Sequence, residues 1–166
     1  KVDFTPDTAA VKALARLGLT FRVKDTFGKV EYNGRGDIET YNDRKAAGFI
    51  GHYKTTAEAM FHYYVKPQAT GNRTDVRWVS ISDTRNRLMV AAKSPFQFSV
   101  TPFSDSVIDR ATHINQLSRD GLLTVHLDAN QSGVGTATCG PGVAEKYRVS
   151  VKPTSFEFVL YPAMAK

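Results

Sequence analysis

A chain of 166 residues, 42% apolar and 23% charged, is long enough for one domain with a real core, and its longest apolar run falls well short of the roughly 20 residues a membrane span needs. The net charge of +6 invites a nucleic-acid reading, but the 22 Lys and Arg are scattered in runs no longer than two, with no recognition motif, which leaves a diffuse positive surface. A single cysteine, Cys139, excludes an intrachain disulfide framework and leaves the compartment open.

The chain opens at Lys1-Val2-Asp3 without methionine or signal peptide and reads as a piece of something longer. We expect one domain over residues 1–166, with 1–13 as a linker or the tail of a preceding strand. Leu14–Val23 alternates Leu17, Leu19, Phe21 and Val23 inward and predicts a strand. Lys29–Tyr32 is a short run ending at Gly34 and Gly36, and 35–45 is polar and loop-like. Ala46–Thr55 and Met60–Val65, rich in Phe and Tyr, read as further strands.

Val65–Trp78, VKPQATGNRTDVRW, is the most distinctive stretch. A polar turn at 69–72 leads into a strand that would point Thr74, Val76 and Trp78 one way and Arg73, Asp75 and Arg77 the other. So many charges on one strand face call for partners on neighbouring strands or for a ligand, and arginine–carboxylate pairing is the plainer expectation.

Val76–Ser82 and Arg87–Ala92 flank the tight turn Asp83–Asn86 and predict a hairpin. Pro95–Pro102 reads as a short strand with proline-defined ends, and Ser104–Gln116 as the one helix, capped by Ser104 or Asp105 with Val107, Ile108, Ala111 and Ile114 on one face. Leu122–Asp128, Tyr147–Val151 and Ser155–Tyr161 complete the strands around a glycine-rich loop at 131–143. The sum is an all-β antiparallel sandwich with one short helix.

The residues themselves single out no catalytic apparatus. Glu31, Glu39, Glu58, Glu145 and Glu157 form no evident carboxylate pair for acid–base work, and His52, His62, His113 and His126 lack metal-ligand spacing. Gly133-Val134-Gly135 lacks the third glycine and the following helix of a dinucleotide loop.

PQATGNRTDVRW (67–78) closely resembles a motif in the C-terminal domain of family 2 glycoside hydrolases of the β-galactosidase type. Three more segments follow in order. Arg16-Leu17-Gly18-Leu19 is similar to the family's P-R-[IL]-G-[LV] strand, with Ala15 for the proline. VEYNGRGDIETYNDRK (30–45) keeps Glu39, Tyr41, Asp43 and Arg44 but has Asp37 for a proline and Thr40 for an asparagine. Residues 121–143 resemble the segment in which a strand ending in Asp precedes a G-[LVI]-G loop and a C-G-P or W-S-P step.

The resemblance implies the whole or a truncated part of a galactose-mutarotase-like supersandwich that packs on a catalytic (β/α)₈ barrel and preceding domains of the same enzyme. It implies hydrolysis of terminal β-galactosides by that parent, with Mg²⁺, and Na⁺ or K⁺ as a further option, held outside this chain. The loop Thr138-Cys139-Gly140 would lie by the sugar pocket, although Cys139 stands where other members place an aromatic ring that stacks on galactose. Arg35, Glu39, Tyr41, Asp43, Arg44, Asn72, Arg73, Asp75 and Trp78 would form one polar network shaping the docking surface. No catalytic residue and no metal ligand is expected in this chain, nor is a nucleic-acid or membrane partner. Without its neighbouring strands the piece would expose a sheet edge and dimerise through it. The rival reading is a stand-alone carbohydrate-binding module with Trp78, or Tyr53, Tyr63 and Tyr64, as its aromatic platform.

Overall fold

The computed structural model describes residues 1–136 and 140–165. The strands are β1 (Val2–Phe4), β2 (Arg16–Lys24), β3 (Lys29–Arg35), β4 (Ile50–Thr56), β5 (Arg73–Ser82), β6 (Asn86–Thr101), β7 (Leu122–Gln131), β8 (Thr154–Phe156) and β9 (Val159–Met164). Every ladder is antiparallel. The large sheet runs β2-β7-β6-β5-β3-β4, with β9 beside the first half of β6, and β1 pairs β8 in a separate small sheet. The all-β sandwich class expected from alternation is the class observed.

One face of the large sheet is apolar. Val30 and Tyr32 of β3, Val76, Val79 and Ile81 of β5, Phe96, Phe98 and Val100 of β6, and Leu123, Val125 and Leu127 of β7 form a single core cluster. The opposite face is polar and also buried: Gln97, Ser99 and Thr101 of β6 and Thr124, His126 and Asp128 of β7 lie between the inward residues. Burying such a face demands partners for its polar atoms: loop residues Asn42 and Asn72 serve Gln97, Thr20 of β2 and Asp105 serve His126, and Thr124 Oγ1 and Asp128 Oδ2 have none among the described residues.

Several local expectations are overturned. Met60–Val65 is no strand; Met60 closes a one-turn helix, α1 (Ala57–Met60), whose N-cap Thr56 accepts from Ala59 N–H. The Ser104–Gln116 helix is shorter than its apolar pattern: α2 spans Asp105–Arg110, capped by Ser104, and a separate 3₁₀ turn follows at Ile114–Gln116. Ile114 is exposed, while Phe61 and Phe103 pack on Ile108. Arg87–Ala92 and Pro95–Pro102 belong to one long strand, β6, with an irregularity between Ala91 and Phe96 that takes in Pro95. Tyr147–Val151 contributes only a 3₁₀ turn at Glu145–Tyr147 and an isolated bridge from Val149 to Leu14. Ser155–Tyr161 divides between β8 and β9, in different sheets.

The simple alternation of β5 also fails. Asp75 adopts φ 55°, and the register with β6 shifts on both sides of Val76. Val76 faces the core, but so do Val79 and Ile81, which puts Trp78 on the other face beside His52. The bulge switches the strand's phase.

Candidate functional site

The polar face gathers most of its charge around Glu39, in the loop between β3 and β4. Its side chain is only 12% exposed. The carboxylate accepts hydrogen bonds from Thr70 Oγ1 (2.6 Å), Gly71 N–H (2.9 Å), the Tyr41 hydroxyl (3.1 Å) and the Tyr64 hydroxyl, with Arg44 Nη1 at 3.5 Å. Burial works to raise the Glu39 pKa, but the donors led by Thr70 and Tyr64 outweigh it and hold the carboxyl below its ordinary range. Burial and the neighbouring carboxylate push the Tyr41 and Tyr64 hydroxyls up, so both remain donors.

Gly71 carries φ 78°, and a Cβ there would collide with the Met60 carbonyl. That backbone turn aims the Gly71 N–H at Glu39 and delivers Asn72 and Arg73 to the sheet. Asn72 Nδ2 donates to Thr40 O (2.9 Å) and to Gln97 Oε1 (2.8 Å). Gln97 Nε2 passes the chain on to Asn42 and Asn130. Arg73 is 3% exposed and makes no carboxylate pair among the described residues. Its guanidinium instead donates to the carbonyls of Asp37, Gly71 and Asn72 and to the Tyr32 hydroxyl.

Arg35 and Asp75 meet at 2.7 Å, and Lys45 reaches the other Asp75 oxygen at 2.7 Å. Burial opposes ionisation of Asp75, yet its bonds to Lys45 and Arg35 keep its pKa low. Asp43 joins a different partner: its carboxylate accepts Val134 N–H (3.0 Å) and Gly135 N–H (2.7 Å). This ties the loop carrying Glu39 to the glycine-rich loop, and Asp43, Arg44, Pro141 and Tyr147 border an open cavity of about 520 Å³ there. Thr138 and Cys139 lie outside the described residues. Gly140 is exposed, next to a closure in which Thr136 donates to Pro141 O at 3.0 Å.

Trp78 stands apart from these contacts. Its ring meets His52 edge-on, 5.3 Å between centroids. The other aromatic candidates point to no common platform: Tyr53 stacks on Tyr32, Tyr63 packs on Phe61 and Phe103, and Tyr64 sits between His62 and Glu39.

A family model described as "Beta galactosidase small chain" matches residues 1–160. The chain belongs to the β-galactosidase small-chain family. Among curated relatives in this family, a "Beta-galactosidase" of Staphylococcus xylosus is 30% identical over 147 residues, covering 89% of this chain and 15% of that protein. A "Beta-galactosidase" of Kluyveromyces lactis is 33% identical over 149 residues, 87% of this chain and 14% of its own length. "Beta-galactosidase BgaC" of Bifidobacterium adolescentis is 34% identical over 123 residues, 71% and 12% respectively. The chain therefore spans about a seventh of these family members.

Sequence reasoning missed the second polar centre. His126, buried on β7, is held between Thr20 Oγ1 (2.9 Å, at Nδ1) and Asp105 Oδ1 (3.0 Å, at Nε2), and the bond from His126 keeps the Asp105 pKa low. Two residues on, Asp128 is 1% exposed and has Arg16 Nη2 at 3.4 Å, while its Oδ2 makes no hydrogen bond among the described residues. Burial dominates over Arg16 and raises the Asp128 carboxyl to about 6. The signal was in the alternation: if Val125 and Leu127 face the core, Thr124, His126 and Asp128 share the other face.

Proposed function

We propose that this chain is a non-catalytic portion of a larger β-galactosidase, packing on a catalytic (β/α)₈ barrel and helping to shape the sugar pocket of an enzyme that hydrolyses terminal β-D-galactosides of the lactose type with retention. The observation that carries the reading is the state of Glu39. A carboxylate saturated by hydroxyl and N–H donors, with its pKa held down, is a poor general acid and has few lone pairs left for a substrate. It is well suited to fixing two loops as one rigid surface.

Asp128 supports the same view from the other side. Its raised pKa suits proton transfer, but the side chain is sealed from solvent and from any sugar. The docking surface we infer is the polar face made by the Glu39 and Gly71 loops, with the Asp43-anchored glycine loop at the pocket's rim. Mg²⁺ and Na⁺ or K⁺ belong, in this reading, to the rest of the enzyme. Among the described residues no group of three or more His, Cys, Asp and Glu gathers as a metal site would.

The test is a chromogenic assay. The longer polypeptide carrying this chain should hydrolyse nitrophenyl β-D-galactoside with the β-anomer as first product, and the 166-residue chain alone should not. Release of galactose by the chain alone would reject the scaffold role. Failure of the longer polypeptide to cleave any β-galactoside would reject the parent activity.

A further inference from the structure

The largest of the cavities described here lies between β2, the 66–69 loop and α2, outside the Glu39 network. Its volume of about 850 Å³ falls within the roughly 300–1,000 Å³ of small-molecule sites. Two features define its inner surface. Gln131, 9% exposed, is held rigid because its Oε1 accepts Arg16 Nη2 at 3.1 Å. That bond leaves the Gln131 amide N–H₂ and the remaining Arg16 N–H groups without partners among the described residues. Beside them, buried Ile108 and Pro67 offer an apolar wall.

The charges around the cavity balance. Arg16 and Lys66 face Asp105 and Asp109, so neither an anion nor a cation is favoured by the local field. Asp105 is turned to His126 through one oxygen and keeps the other as an acceptor. Fixed donors beside fixed acceptors, at no net charge and against a small apolar wall, match a neutral ligand with many hydroxyls and an apolar C–H face. We propose that this cavity is a saccharide-binding site built on Gln131 and Arg16. Arg16 is itself braced from behind by Asp128 at 3.4 Å, which keeps its fork in place without consuming its outward N–H groups.

The experiment uses the longer polypeptide with methyl-labelled isoleucine and alanine. It is titrated with D-galactose, D-glucose, N-acetyl-D-glucosamine and lactose while the Ile108 and Ala69 signals are followed. At least one sugar should move both signals saturably. Gln131→Leu should weaken that binding by about tenfold, as loss of a fixed donor in a desolvated site does. Lys66→Met, at an exposed position where folding is not at stake, should weaken it in the same direction. The site is rejected if no sugar moves these signals, if both variants keep wild-type affinity, or if a poly-glutamate peptide moves them and no sugar does. Its rejection would leave the galactosidase reading standing, because the chromogenic assay does not depend on this cavity.

Discussion

The backbone N–H of Gly71 donates to the carboxylate of Glu39 at 2.9 Å, joining two loops separated by 32 residues. The same carboxylate oxygen takes the Thr70 hydroxyl, so the turn before β5 is held by one side chain from the loop after β3. Glu39→Ala would strand buried donors on Thr70 and Gly71 and should cost roughly 3 kcal/mol of stability. Urea denaturation is the measurement, and a loss below about 0.5 kcal/mol, the range of ordinary surface substitutions, would show that the clamp does not matter. Gly71→Ala should unfold the same region by the other route, because φ 78° and the Met60 carbonyl leave no room for a methyl group.

Asp128 makes stability depend on pH in the direction opposite to Glu39. Its carboxyl binds a proton more tightly folded, at about 6, than its unshifted value of 3.8. The stabilisation is therefore fully present below that lower value and is lost as pH rises through about 6. Asp128→Asn, which mimics the protonated form, should gain on the wild type across this window by on the order of 3 kcal/mol, at about 1.36 kcal/mol per pKa unit. Any cost of leaving Arg16 unpaired is a constant offset, so the slope is the readout. Parallel stability curves for the two proteins between pH 4 and 7 would contradict a raised Asp128 carboxyl.

How far the alternation of residues could be followed depended on whether the strand stayed regular. In β7 it did, and Leu123, Val125 and Leu127 lie in the core as a period of two requires. In β5 the backbone of Asp75 enters the left-handed region, which no pattern of side chains announces, and Trp78 ends on the opposite face from Val76. Met60–Val65 has the composition of a strand but is claimed by Thr56 capping α1 and by Phe61 turning onto Phe103. Arg73 and Asp75 were legible because charge on a strand demands partners, whereas Arg35, Glu39 and Asn72, which lie at a strand end or in loops, were legible only through the family motif. Gln97 and Thr70 carry no charge and were not expected as partners, and Tyr64 was expected only as part of an aromatic platform, not as a donor to Glu39.

β9 is the edge through which we predict the isolated chain associates. All six of its residues are exposed, and its outer edge pairs with no other strand among the described residues. An apolar edge with Val159, Leu160 and Tyr161 exposed is a template for strand pairing. The isolated chain should dimerise in sedimentation, and Leu160→Lys should return it to monomer with its melting temperature unchanged. A wild-type monomer at every concentration, or a dimer indifferent to Leu160→Lys, would remove β9 from consideration.

Arg73 offers the sharpest separation between a scaffold and a specificity role. Its guanidinium satisfies three carbonyls and the Tyr32 hydroxyl inside the protein, and none of these groups faces the cavity at Asp43. Arg73→Ala withdraws the guanidinium from the buried Gly71 carbonyl and the Tyr32 hydroxyl, while the Asn72 carbonyl keeps the Thr40 N–H, and a loss of about 1–3 kcal/mol is expected. Arg73→Lys should recover only part of it, since an ammonium cannot span the planar fork of acceptors. In the longer polypeptide both variants should lower thermal stability or assembly, while the ratio of kcat/KM between lactose and nitrophenyl galactoside stays fixed. If Arg73→Ala kept wild-type stability and changed that ratio, the residue would be reading the sugar, and the polar face would have to be regarded as part of the substrate site.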